Sequence, residues 1–162
     1  MMNWKSHPSY DGHEDVVVVG DEALGFAGIV AIHNAALGPA GGGVRIWNYA
    51  RDEDALTDAL RLSRGMTYKN AMAELPMGGG KSVIYKMGAD RNACFEKFGE
   101  QVDAIGGRYV AAEDVGATVA DMRAIARKTK YVAGIPKEGG QAGGDPSPWT
   151  SPPSITASSS PA

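Results

Sequence analysis

The chain has 162 residues, 43% hydrophobic and 22% charged, a balance that suits one soluble globular domain with a single core. A formal charge of −3 supplies no attraction to nucleic acid or to an anionic membrane. Cys94 is the only cysteine, which excludes an intramolecular disulfide and a thiolate metal cluster.

Met1 to Asp15 is polar and mixed in charge, unlike the apolar core of a signal peptide. The longest apolar runs fall well short of the ~20 residues that span a bilayer. A cytoplasmic location is expected. Glycine, at 22 residues, has about twice its usual share. Many glycines stand in groups, at Gly41 to Gly43, Gly78 to Gly80, Gly106-Gly107 and Gly139-Gly140. Such groups mark sharp turns or close backbone approaches.

In chain order, Asp15 to Val19 and Phe26 to Ile32 are apolar β-branched runs separated by turn residues, which predicts a hairpin. Val44 to Tyr49 is a third strand candidate after the first glycine group. Asp52 is the expected N-cap of a long helix that places Leu56, Ala59, Leu60 and Ser63 on one face and ends before Pro76. Ser82 to Tyr85 is a short β-like run. Asp90 opens a second helix burying Cys94, Phe95, Phe98, Val102 and Ile105, closed by Gly106-Gly107. Tyr109 to Ala112 is the next strand. Thr118 and Asp121 form a capping box for a helix with Met122, Ile125 and Ala126 as its stripe. Tyr131 to Ala133 is a last short strand. This order predicts an α/β fold: a layered sheet with mixed parallel and antiparallel strands, flanked by helices. From Gly139 to Ala162 the chain is mostly Gly, Pro, Ser and Thr and is expected to be disordered. The expected division is therefore a folded domain over residues 1–138 and a tail over 139–162.

Several segments could carry chemistry. Bare backbone N–H groups at Gly41, Gly42 and Gly43 can bind a carboxylate or phosphate, although a flexible turn explains most such runs. Lys69 stands near the end of the long helix, where a lysine is ordinarily just a solvated side chain. Gly80-Lys81-Ser82 matches the end of a phosphate-binding P-loop. The earlier glycine of that motif is replaced by Leu75, and a helix rather than a strand precedes it, so the nucleotide reading is rejected. What remains is a lysine held by glycines at a strand's start, a placement that can desolvate an ammonium. Glu113 and Asp114 follow a β-run, where acids are well placed for chemistry but also serve as helix-entry residues. His7, His13 and His33 match no metal-ligand spacing and read as surface or packing residues; no metal site is expected.

Taken together, Arg64-Gly-Met-Thr-Tyr-Lys-Asn-Ala71, Gly78-Gly-Gly-Lys-Ser-Val-Ile84 and Gly107-Arg-Tyr-Val-Ala-Ala-Glu-Asp-Val-Gly116 resemble the leucine, phenylalanine and valine dehydrogenases of the glutamate dehydrogenase superfamily. Tyr131-Val-Ala-Gly134 and Asp145-Pro-Ser-Pro148 are lesser markers. The resemblance runs from about Gly25 to Pro148 and corresponds to an N-terminal, substrate-binding and oligomerising domain.

It implies oxidative deamination of an L-amino acid to the 2-oxo acid and ammonia with NAD as oxidant, in a homo-oligomer. By position, Lys69 would pair with the substrate carboxylate, helped by backbone N–H groups at Gly42 and Gly43. Lys81 would activate water, Asp114 would shuttle protons at the amino nitrogen, and Met66 would line the pocket. A lysine serves as a base near neutral pH only where burial or a neighbouring cation lowers its ordinary value of about 10.4, and Lys69 in the same cleft would supply the cation. Asp114 needs a close partner in a dry site.

Two departures from the family pattern stand out. Leucine-type members carry leucine where this chain has Gly41, and Gly-Gly-Gly-Lys looks more like the phenylalanine type, so a preference for bulky apolar or aromatic amino acids is expected. After Pro148 the family continues into a Rossmann domain, whereas this chain has Trp149 to Ala162 and no Gly-x-Gly-x-x-Gly anywhere. The expectation is a substrate-domain fragment, inactive alone, ending in a frameshifted or disordered tail. The alternative is a non-catalytic binding domain that assembles with full-length subunits.

Overall fold

The computed structural model describes residues 3–135. The boundary at residue 138, the tail and the Asp145 to Pro148 marker lie outside the described residues.

After a 3-10 turn at Trp4–Ser6 come β1 (Asp15–Asp21), β2 (Phe26–Asn34), β3 (Ala40–Ile46), α1 (Asp52–Met72), β4 (Gly78–Lys86), α2 (Arg91–Ala104), β5 (Tyr109–Glu113) and α3 (Val119–Ala126). The five strands form one sheet in the order β1-β2-β4-β3-β5. β2 is antiparallel to β1 and to β4, while β3 is parallel to both β4 and β5. This is the mixed α/β sheet that the sequence predicts. The hairpin turns at Gly25, whose φ is 65°. Parallel neighbours need a crossover, and α1 supplies the one from β3 to β4.

Both faces of the sheet are covered, so β2 is buried almost along its length. Alternate side chains separate two cores. Ile29, Ala31 and Val83 meet Leu56, Ala59 and Leu60 of α1. Val30, Ile32, Val44 and Tyr109 meet Phe95, Phe98, Met122 and Ile125 of α2 and α3. The face predicted for α2 is buried from Cys94 to Ile105. Asp90 caps it by accepting from the Ala93 N–H at 2.9 Å, and Gly106 and Gly107 carry the chain onward with φ of 71° and 82°. The Thr118–Asp121 capping box is present.

Four expectations need correction. β3 starts at Ala40 rather than Val44, and β4 at Gly78 rather than Ser82: the glycine groups are strand, not turn. Close approach explains this, since a Cβ on Gly79 would run into the backbone of Thr67; only glycine lets α1 lie against β4 there. Asp52 is the first helical residue rather than the cap. Arg51 precedes it in extended conformation without a side-chain cap, and Asp52, Glu53 and Asp54 in the first turn offset the helix dipole. Ala124, not Ala126, completes the buried stripe of α3. Tyr131 to Ala133 makes only one isolated parallel bridge, Val132 to Ala111, held by Ala111 N–H to Tyr131 C=O at 3.0 Å and Ala133 N–H to Ala111 C=O at 2.8 Å. α1 itself ends at Met72, and Glu74 in the left-handed region (φ 55°) turns the chain before Pro76.

Candidate active site

The α1-facing side of β4, β3 and β5 holds a cleft. Val83 packs on α1, so Lys81, two residues earlier, points to the same side. Val44 pairs with Ser82, and Gly43 with Ala112. Gly43 therefore lies between Lys81 and the end of β5, where Asp114 follows. Lys81 Nζ donates to Asp114 Oδ2 at 2.6 Å; their side chains are 7% and 23% exposed. A side chain on β3 would obstruct this reach. A Cβ at Gly43 would stand 2.5 Å from Asp114 Cβ and 3.2 Å from Lys81 Nζ.

The last turns of α1 form the opposite wall. A cavity of about 280 Å³ is lined by Gly41, Gly42, Gly43, Met66, Lys69, Lys81 and Asp114, together with Asn70, Met77 and Glu113. The residues singled out in the sequence, Glu113 included, thus meet in one cavity. Burial opposes ionisation of Asp114, but Lys81 outweighs it, aided by the Val115 N–H and Arg45, and the carboxyl lies below its ordinary range. The half-buried carboxylate has the close partner it requires.

A buried relay fixes the glycine backbone. Ser82 Oγ donates to Tyr109 Oη at 2.7 Å, and Tyr109 donates to the Gly42 carbonyl at 2.8 Å. Burial pushes the Tyr109 phenol up, so it remains a donor. Asn70 Nδ2 donates to the Gly78 carbonyl at 2.7 Å, pinning the end of α1 to the start of β4.

The sequence reading missed several of these residues. Arg45 Nε lies 3.4 Å from Asp114 Oδ2 and its Nη1 3.5 Å from Asp58 Oδ2. Reading the glycine group as strand would have found it, because Arg45 is two residues beyond Gly43 and shares its face. Asn70 adjoins Lys69 in sequence but had no separate signal. Met77 had none either: its methyl occupies the place that a Cβ on Gly41 would take.

A wider groove of about 720 Å³ is lined by Tyr10, Asp11, Arg61, Arg64 and Tyr68 among others. Arg64 is already paired with Asp11 at 2.6 Å, and no buried lysine–carboxylate pair faces this groove. The smaller cleft is the candidate active site. His13 and His33 are buried packing residues: their rings are 4.7 Å apart, His13 Nε2 meets the Leu60 carbonyl at 2.9 Å, and His33 Nδ1 meets Thr67 Oγ1 at 2.8 Å. His7 is half-buried beside Thr57, 3.3 Å away. Among the described residues no cluster of three or more His, Cys, Asp or Glu could hold a metal ion, and no helix is long and apolar enough to cross a membrane.

The chain is similar in sequence and in fold to known proteins. Residues 13–131 match the family described as Glu/Leu/Phe/Val dehydrogenase, dimerisation domain. The chain is 51% identical over 149 residues to leucine dehydrogenase of Geobacillus stearothermophilus, covering 91% of this chain and 40% of that enzyme. It is 49% identical over 141 residues to valine dehydrogenase of Streptomyces virginiae, covering 85% of this chain and 39% of that enzyme. Among solved structures, L-tryptophan dehydrogenase from Nostoc punctiforme superposes with a TM-score of 0.72 at 44% identity, over 75% of this chain and 37% of the other. The chain thus spans about two fifths of the length of the curated relatives it matches. It belongs to the Glu/Leu/Phe/Val dehydrogenase family and corresponds to that family's dimerisation domain.

Proposed function

We propose that the cleft is the substrate half-site of an amino-acid dehydrogenase that oxidatively deaminates an apolar or aromatic L-amino acid to the 2-oxo acid and ammonia. The observation that carries this reading is the 2.6 Å Lys81–Asp114 pair inside a cavity also lined by Lys69 and bare glycine backbone. Lys69 with the N–H groups of Gly42 and Gly43 binds the substrate carboxylate. Lys81 takes a proton from the attacking water, and Asp114 moves protons at the amino nitrogen. Met66 lines the pocket, while Gly41 and the flexible Met77 leave room for a large side chain.

NAD, the oxidant implied by the family resemblance, accepts hydride from the substrate carbon when bound. The described residues do not fit a dinucleotide: both glycine groups lie inside strands rather than opening a helix, and the sequence contains no Gly-x-Gly-x-x-Gly. The described residues are expected to bind substrate without turning it over.

A second reading, assembly into homo-oligomers or with longer subunits of the same family, is favoured by the match to a dimerisation domain and by the exposed edge of β1, where Val18 is 60% exposed. Methyl NMR of the chain labelled at methionine Cε tests the first reading. Shifts at Met66 with L-phenylalanine or L-leucine support it, and no shift at saturating concentrations overturns it. NADH fluorescence is expected to show no saturable binding; saturation would mean that the chain holds a nucleotide site.

A further inference from the structure

Among the described residues, Arg45 is a cation against Asp114 for which this mechanism has no use. It lies on β3, its side chain 26% exposed, with Nε 3.4 Å from Asp114 Oδ2. That oxygen is the same one that accepts from Lys81. The other arm of the guanidinium meets Asp58 Oδ2 of α1 at 3.5 Å, and Asp58 Oδ2 also accepts from Tyr49 Oη at 2.8 Å. A chain of polar groups therefore runs from Asp114 through Arg45 to Asp58 and Tyr49.

We propose that Arg45 is a positioning residue for Asp114, a permanent counter-charge that holds the carboxylate anionic and in place whatever the protonation state of Lys81. The inference rests on the proposed function, in which Lys81 gains and loses a proton. A lysine that gives up its proton stops being a counter-ion, and a half-buried carboxylate left alone then takes up a proton more readily. A guanidinium stays charged at any working pH, so it alone can supply the charge through the whole cycle. Asp58 divides the charge of Arg45 and so tempers its hold on Asp114. The other groups around Asp114 are Lys81 from β4, Tyr109 from β5, and Lys69 and Glu113 on the cleft wall.

The test is a carboxyl-carbon NMR titration of Asp114 in the whole chain, assigned by its loss in Asp114→Asn, with circular dichroism recorded on the same samples. Arg45→Gln is expected to raise the Asp114 midpoint by about one pH unit. Arg45→Lys should recover part of that rise, and Asp58→Asn should lower the midpoint below that of the unmodified chain. An unchanged midpoint in folded Arg45→Gln overturns the proposal. If Arg45→Gln does not fold, an unchanged or raised midpoint in Asp58→Asn overturns it instead. Failure of the chain to bind any L-amino acid would sink the substrate reading while leaving these midpoints as measured, so the two failures are distinguishable.

Discussion

Lys81 reaches Asp114 across Gly43: its Nζ sits 2.6 Å from the carboxylate because the strand between them has no side chain. The bare backbone of Gly43 is thus both the proposed carboxylate donor and the gap through which the two acid–base groups meet. Gly43→Ala would put a methyl 2.5 Å from Asp114 Cβ. The expected cost is about 1–3 kcal/mol of stability, with amino-acid binding weakened further. Denaturant unfolding and calorimetry measure both; an unperturbed variant would show that the pair does not depend on the gap.

The missing side chain at Gly41 bears on substrate size. Gly41→Leu would displace the Met77 methyl, which occupies the adjoining space, and fill the pocket floor. Binding of phenylalanine should fall relative to leucine by roughly 10-fold or more, the worth of 1–3 kcal/mol in a hydrophobic pocket. Competitive titration of the two amino acids reads the ratio, and a ratio that does not move would remove Gly41 from the specificity argument.

Acid stability follows from two carboxylates with depressed values. Burial opposes ionisation of Asp121, but the Arg91 fork at 2.9 and 2.8 Å and the Thr118 cap prevail; Asp114 behaves likewise with Lys81. For an acid held below its unfolded value, the stabilisation is present above that value, near 3.8, and is lost as pH falls through the folded one. Asp121→Asn should therefore lower stability at pH 7 by about 1–3 kcal/mol and flatten the loss below pH 4. Equal acid slopes in the variant and the unmodified chain would contradict this.

His13 works in a different window. Burial lowers it below 6.5, the Leu60 carbonyl opposing and His33 adding to the fall. The unfolded chain then binds the proton more readily, so stability declines as pH drops from about 6.5 towards the folded value. His13→Gln should unfold more readily at pH 7 but lose less between pH 7 and 5. Urea melts at the two pH values decide it.

Much of the fold was legible because period and caps are local signals. The β1–β2 hairpin, the buried face of α2 and the capping box at Thr118 all follow from spacing alone. The glycine groups were harder. Glycine signals conformational freedom, whereas here it serves an extended strand pressed against Thr67 and Asp114, a tertiary requirement with no local signature. That misreading also concealed Arg45, whose place on the cleft follows only once Gly41 to Gly43 are in strand. Lys69, Lys81 and Asp114 came from family resemblance; burial and the 2.6 Å contact supply a physical basis that their spacing could not.

Calorimetric titration with L-phenylalanine and with 2-phenylethylamine shows whether the cleft grips an L-amino acid by its carboxylate. Saturable heat is expected with the amino acid, none with the amine, and binding is expected to be lost in Lys69→Ala. Equal binding of the amine, or an unaltered affinity in Lys69→Ala, would contradict that grip.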